Sequence, residues 1–158
     1  MNQRGLNLIQ LAIVLVVIAV ISSIVTFSWP QLTIEVRNQS QQLTSDLRYA
    51  QHLAQVRHVR TRINFSSGQY SMTELNGSTA INFPASGGNI ITMPTNVTIS
   101  DSGLPNDYVV FGEKGAPYTT NTTPGTALAS TATITLTGPN SSHAVTIAPE
   151  TGAISNPN

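Results

Sequence analysis

The stretch NQRGLNLIQLAIVLVV (residues 2–17) decides how the rest of this 158-residue chain is interpreted. A basic residue, Arg4, precedes an apolar run that contains two amides, Asn7 and Gln10, and no further charge occurs before Glu35. Polar groups inside a lipid-facing segment are costly unless they meet a partner. The two amides therefore predict a later partner for this end of the segment.

Residues 6–29 are predicted to form a membrane-spanning helix. Spanning about 30 Å of hydrocarbon takes roughly 20 helical residues, which this run of mostly Leu, Ile, Val and Ala supplies. Trp29 stands at the far end, where an indole suits the membrane interface, and Arg4 predicts a cytoplasmic N-terminus. A secretory signal peptide is the alternative. Its apolar core would be about 7–15 residues long and would end at a small-residue cleavage site, which this segment lacks.

A second helical pattern occupies residues 30–60. Its apolar residues recur in steps of three, four or seven, which places them on one stripe of a helix. The stripe comprises Leu32, Val36, Leu43, Leu47, Ala50 and Ala54. The polar surface is assigned to Arg37, Gln41, Gln42, Asp46 and Arg48. Pro30 predicts a kink, because it removes a backbone donor and crowds the preceding turn. Residues 6 to about 60 are thus predicted to form one long, kinked helix.

Residues 61–158 show the patterns of strands and turns. TRINFSSGQYSMTEL (residues 61–75) predicts a strand, a turn and a strand, and TATITLTG (residues 131–138) alternates apolar residues with Thr. HAVTIAPETGAIS (residues 143–155) predicts a closing hairpin, and GAPYTTNTTPGTALAS (residues 115–130) a long, mobile loop. The sequence therefore predicts an α+β fold, in which an antiparallel sheet packs one face on the amphipathic helix.

Composition and spacing argue against an enzyme. The chain has no cysteine, which excludes a disulfide framework and a thiol nucleophile. SDSGLP (residues 100–105) lacks the setting of a catalytic serine. Asp101 and Asp107 could hold calcium, but a polar turn is the preferred interpretation. The histidines have no spacing suited to zinc: His52, His58 and His143. We expect no catalytic residue, cofactor or metal.

A basic cluster lies where the helical pattern gives way to the first strand. It comprises Arg48, His52, Arg57, His58, Arg60 and Arg62. Its last four residues form a candidate phosphate-contacting patch. The alternative is that these cations complement the helix dipole or face acidic neighbouring subunits. The second interpretation is preferred, because seven basic and seven acidic residues cancel and no aromatic residue stands among residues 57–62. We expect no nucleic-acid partner.

The chain resembles the type IV pilin and type II secretion pseudopilin family. The resemblance lies in the order of its features: a basic residue, a glycine, a mixed hexad, a long apolar helix and a β domain. In that family a glycine precedes Phe-Thr-Leu-Ile-Glu-Leu, and here Gly5 precedes Leu6 to Leu11. The resemblance implies a prepilin peptidase that cuts between Gly5 and Leu6, removes the leader (residues 1–5) and methylates the Leu6 amine. It also implies a single-pass inner-membrane protein with a periplasmic domain, later extracted into a pilus or pseudopilus.

Two further stretches are similar to minor pseudopilins of the general secretion pathway H type and to minor pilins of the mannose-sensitive haemagglutinin type. They are LTSDLRYAQHLAQVRHVRTRINF (residues 43–65) and VTIAPETGAIS (residues 145–155). Gln10 stands where the family has a Glu that pairs with the N-terminal ammonium of a neighbouring subunit. The resemblance implies that Asn7 and Gln10 lie at a subunit contact of a minor component.

The implied partners are other pilin or pseudopilin subunits, the prepilin peptidase, and the assembly platform and ATPase of the machine. Two alternatives stay open at the level of sequence. One is a DNA-uptake minor pilin that uses the basic patch. The other is an uncut, single-pass anchored β domain that acts as an adhesin or binding module.

Overall fold

The computed structural model describes residues 4–25, 31–75 and 77–157, and it divides the chain into two compact units. The first unit contains helix α1 (Arg4–Val25), and the second begins at Leu32. Helix α2 (Gln31–Arg57) belongs almost wholly to the second unit. Trp29 and the predicted kink at Pro30 lie outside the described residues, as do residues 1–3 of the expected leader. The continuity of the two helices therefore stays a prediction.

The second unit contains nine described strands in two antiparallel sheets, which confirms the predicted α+β fold. The strands are β1 (Thr61–Ser66), β2 (Gln69–Glu74), β3 (Ile90–Thr92), β4 (Thr98–Ser102), β5 (Tyr108–Phe111), β6 (Pro117–Tyr118), β7 (Ala132–Thr137), β8 (Ser142–Ile147) and β9 (Ile154–Ser155). The first sheet has the order β3-β2-β1-β5-β6 and the second the order β4-β7-β8-β9. Strands β1 and β7 each bury alternate residues, so each sheet turns one face towards the core.

The apolar stripe of α2 packs into the core that both sheets share. Val36, Leu43, Leu47, Ala50 and Ala54 are fully buried there, together with strand residues such as Ile63 and Ile134. The amphipathic pattern is thereby confirmed, since a stripe at helical spacing needs an apolar surface to cover it. His58 follows α2 with a positive φ of 53°, a conformation that commonly ends a helix.

Gln51 joins α2 to one hairpin of each sheet. Its side-chain nitrogen lies 2.8 Å from the carbonyl oxygen of Gly115, in the turn between β5 and β6. The same nitrogen lies 3.1 Å from the carbonyl oxygen of Gly152 and 3.2 Å from that of Thr151, both between β8 and β9. Gly152 has a φ of 66°, and a Cβ there would collide with the Gly115 carbonyl. Glycine therefore allows the two turns to meet at Gln51.

Candidate assembly surface

Helix α1 presents large apolar side chains on every side. From Ile13 to Ile18, six consecutive residues are all between 49% and 63% exposed. Successive residues of a helix point in directions about 100° apart, so such a run covers the whole circumference. A helix that is apolar all round is normally buried in a protein or a membrane. Large exposed apolar surfaces mark interaction sites, and α1 is therefore the candidate assembly surface.

The predicted processing and contact residues lie at the start of α1. Gly5, Leu6 and Asn7 are helical, while the description of side chains begins at Ile9. Gln10 is exposed, and it belongs to the same helix face as Asn7 because residues three apart are neighbours on a helix. Among the residues that the structure describes, no helix combines the length and the apolar character needed to cross a membrane. Membrane insertion of residues 6–29 therefore stays a prediction.

The candidate basic patch does not form one free surface. Arg57 and His58 are exposed at the end of α2. The Arg60 guanidinium lies 4.6 Å from the centre of the Tyr118 ring, and its Nη1 donates to the carbonyl oxygen of Thr122 at 2.7 Å.

Arg62 is engaged in the same way. Its guanidinium lies 4.2 Å from the centre of the Tyr108 ring, and its Nε donates to Asn64 Oδ1. Sequence reasoning missed both tyrosines, because strand pairing brings them to the arginines from β5 and β6. Two of the four residues of the candidate basic patch are thus already engaged by the chain itself.

The Thr-rich segment after β6 is tied down by hydrogen bonds. The backbone nitrogen of Thr119 donates to the carbonyl oxygen of Thr126 at 2.8 Å, and that of Thr126 to Thr120 Oγ1 at 2.7 Å. Arg60 binds the same segment through Thr122. The segment expected to be a mobile loop is therefore an ordered part of the domain.

Asp46 lies in the interior of the domain, although the helical pattern predicts it on the polar surface of α2. Its side chain is only 3% exposed, and Tyr70 of β2 is fully buried beside it. Tyr70 Oη donates to Asp46 Oδ2 at 2.6 Å. Burial raises the pKa of Asp46, and the hydrogen bond from Tyr70 opposes that rise. Helical spacing shows which residues share a face, but it cannot show that a tyrosine of the sheet receives this carboxylate.

The remaining acidic residues and histidines of the described segments do not gather into a metal centre. Asp101 and Asp107 lie close enough for the Asp107 charge to raise the pKa of Asp101, although burial raises it more. Within residues 4–25, 31–75 and 77–157, no group of three or more His, Cys, Asp or Glu side chains could hold a metal ion. The histidines stand on separate elements or turns: His52 on α2, His58 after it and His143 on β8.

Comparison with known proteins places this fold among pilin-like subunits. Residues 39–152 match the family described as type II transport protein GspH. The minor pseudopilin EpsH from the type 2 secretion system of Vibrio cholerae is similar, with a TM-score of 0.58 and 12% identity over 78% of this chain and 96% of that one.

The type IV minor pilin FimU of Pseudomonas aeruginosa is similar too, with a TM-score of 0.55 and 15% identity over 77% of this chain and 92% of that one. No curated protein sequence matches this chain. At these identities the likeness to solved structures demonstrates the fold, in which a helix packs on antiparallel sheets.

Proposed function

The chain belongs to the family of the type II transport protein GspH, as residues 43–65 and 145–155 predicted, and we propose that it is a minor subunit of a type II secretion pseudopilus or a type IV pilus. The observation that carries this proposal is α1, whose apolar side chains are exposed all round. The same helices of neighbouring subunits would cover them in a filament core. Burial of apolar surface stabilises by about 25 cal/mol per Å², which supplies the cohesion.

The first turns of α1 fit a processed subunit. Prepilin peptidase would cut between Gly5 and Leu6, remove residues 1–5 and methylate the new amine of Leu6. An amide oxygen can accept a hydrogen bond from a protonated amine, so Asn7 and Gln10 can contact the N-terminus of a neighbour. Gln10 offers no opposite charge, unlike the usual Glu, and this contact is therefore weaker than one between an ammonium and a carboxylate.

Before assembly the subunit would be held in the inner membrane, with its N-terminus in the cytoplasm and residues 61–158 in the periplasm. The absence of any charged residue from Gly5 to Ile34 supports this location. Its role is structural rather than catalytic. An assembly platform and an ATPase of the same machine would extract it from the membrane, since moving an apolar helix out of lipid requires work.

The test is intact mass and N-terminal sequencing of the protein, taken both from membranes and from sheared filaments of the producing bacterium. We expect a chain that begins at methylated Leu6 in the filament fraction. A Gly5→Leu variant serves as the control and should keep its leader and stay out of filaments.

Two other results would contradict the proposal. A wild-type chain that still begins at Met1 would indicate an anchored β domain, acting as an adhesin or binding module. A chain that begins beyond Trp29 would indicate an ordinary signal peptide.

A further inference from the structure

A groove runs along the solvent side of α2, beside the segment that follows β9. It has a volume of about 350 Å³. Four of its lining residues come from α2 and one from the C-terminal segment: Gln41, Thr44, Ser45, Arg48 and Asn156. Positions separated by three, four and seven residues lie on one face of a helix, so the groove follows the helix axis.

Among the residues that the structure describes, Arg48 is the one charged residue that lines this groove. Its Nη2 donates to the carbonyl oxygen of Ile154 at 3.0 Å. Ile154 belongs to β9, which lies at the edge of the second sheet. The backbone nitrogen of Ala148 donates to the carbonyl oxygen of Ala153, and successive carbonyls of a strand point to opposite sides. The Ile154 carbonyl therefore points away from β8, and Arg48 caps the free edge of the sheet.

This contact fixes the guanidinium while leaving most of its donors free. A guanidinium has five N–H donors, and the Ile154 carbonyl occupies one. Arg48 is exposed, and no carboxylate in the described part of the chain forms an ion pair with it. The opposite wall is also held, because Asn156 Nδ2 donates to the buried Ser40 Oγ at 3.1 Å. The groove thus presents a positioned cation with unused donors.

The chemistry of the groove selects a carboxylate. Two parallel N–H groups of a guanidinium match the two oxygens of a carboxylate, which makes this pairing specific as well as strong. Gln41 and Ser45 are exposed and add neutral hydrogen-bonding groups at the rim. The carboxylate of Asp46, on the same helix, is buried against Tyr70 and does not compete for Arg48. A complementary partner is therefore acidic.

We propose that the groove receives an Asp- or Glu-bearing segment of a neighbouring subunit, with Arg48 as its anchor. This inference rests on the proposed function, because it takes the neighbour to be another subunit of the same filament. It adds a lateral contact in the second unit to the helix contacts of α1.

The test is photo-crosslinking in the producing bacterium, with a photoreactive amino acid in place of Ser45. Adducts are recovered from sheared filaments and their peptides identified by mass spectrometry. We expect an adduct with an acidic segment of another filament subunit. Arg48→Glu should lower its yield about tenfold or more, since it places like charges together at the contact. Arg48→Gln, which keeps a donor for the Ile154 carbonyl, should also lower the yield, while Arg48→Lys should retain most of it.

The matched control is Arg37→Glu, a charge reversal on the same helix outside the groove, which should leave the yield unchanged. An adduct that persists with Arg48→Glu and Arg48→Gln would overturn the inference. Three other results would also overturn the inference: an adduct whose partner peptide has no carboxylate, an adduct that nuclease removes, or no adduct although the chain is present in filaments. These results would leave the proposed function standing. Absence of the chain from filaments would instead refute the proposed function, and this inference with it.

Discussion

The apolar side chains of the two helices differ in exposure: those of α2 are buried, and those of α1 are exposed. In α2 the apolar side chains form a stripe, and Leu43, Leu47 and Ala50 are fully buried by the sheets. In α1 they surround the helix, and Leu15 and Ile18 are 60% and 53% exposed. The comparison teaches that α2 is stabilised by its own chain, whereas α1 needs other molecules to cover it. Helix α2 is thus a structural element of the subunit, and in the proposed function α1 is the element through which subunits assemble.

The largest expected effect separates the two helices directly. Leu47→Ala should lower the free energy of unfolding by about 2–5 kcal/mol, because it leaves a cavity in the core. Leu15→Ala is the matched change in α1. It should alter that free energy by about 0.5 kcal/mol or less, since it empties no core site. Urea unfolding of the full chain in detergent, followed by circular dichroism, measures both.

On assembly, the order of effects should be reversed, so that Leu15→Ala has a larger effect than Leu47→Ala. Leu15→Ala should lower the amount of folded subunit in sheared filaments, measured against the total amount in the cell. An equal loss of stability from Leu15→Ala and Leu47→Ala would refute the comparison, since α1 would then be covered by its own chain.

The next largest expected loss of stability follows from removing the hydrogen bond between Asp46, on the buried side of α2, and Tyr70. Tyr70→Phe removes the donor and leaves a buried carboxylate without its partner. It should lower the free energy of unfolding by about 1–3 kcal/mol, the usual cost of a buried group left unpaired. Tyr49→Phe, on α2 with Asp46, is the control, because Tyr49 is only partly buried. A similar loss from both variants would show that losing a tyrosine hydroxyl lowers stability wherever it lies, and that the bond to Asp46 is not responsible.

Asp46 should also make stability depend on pH. Burial raises its pKa in the folded chain above the unfolded value. Below the unfolded pKa the carboxyl is protonated in both states and carries no penalty. As pH rises through the unfolded pKa to the folded one, the unfolded state loses its proton first, so stability falls by at most about 1.4 kcal/mol per pH unit.

The Asp46→Asn variant tests this dependence. An amide oxygen can still accept from Tyr70, but it does not titrate in this range. Unfolding measured from pH 3 to 8 should therefore show a flatter profile for the variant than for the wild type. Parallel profiles would assign the pH dependence to other groups.

How far the sequence predicts this molecule depends on whether a contact is local or distant. Helical spacing identified the buried stripe from Val36 to Ala54, because period and burial are linked within one element. Alternation identified β7 for the same reason. Asp46 was misplaced on the surface, because its partner Tyr70 is 24 positions away in the sequence. Nothing local to Asp46 indicates a tyrosine on a neighbouring strand.

The same distinction between local and distant contacts applies to the candidate site. The processing and contact residues in the first turns of α1 come from the motif alone and stay a prediction, whereas the groove at Arg48 was not predicted. Its opposite wall, Asn156, is 116 positions from its partner Ser40. The stacking of Arg60 and Arg62 on tyrosines likewise depends on strand register, which one sequence does not determine.

The smallest expected effect concerns the junction at Gln51, where α2 meets one hairpin of each sheet. Gln51→Ala removes the amide that lies within 3.2 Å of three carbonyl oxygens. An amide has only two N–H donors, and a hydrogen bond contributes about 1 kcal/mol net. The free energy of unfolding should therefore fall by about 1–2 kcal/mol, the lower value if water satisfies the carbonyls.

Gln41→Ala, an exposed glutamine nearer the start of α2, is the matched control and should change stability by about 0.5 kcal/mol or less. Hydrogen exchange adds a local readout. Opening at the junction should expose the backbone amide of Gly152, which donates to the carbonyl oxygen of Ala148 at 3.1 Å. Faster exchange at Gly152 in Gln51→Ala but not in Gln41→Ala would locate the loss at the junction. Equal exchange in both variants would mean that the two hairpins hold their positions without Gln51, and that the sheets alone fix the covered side of α2.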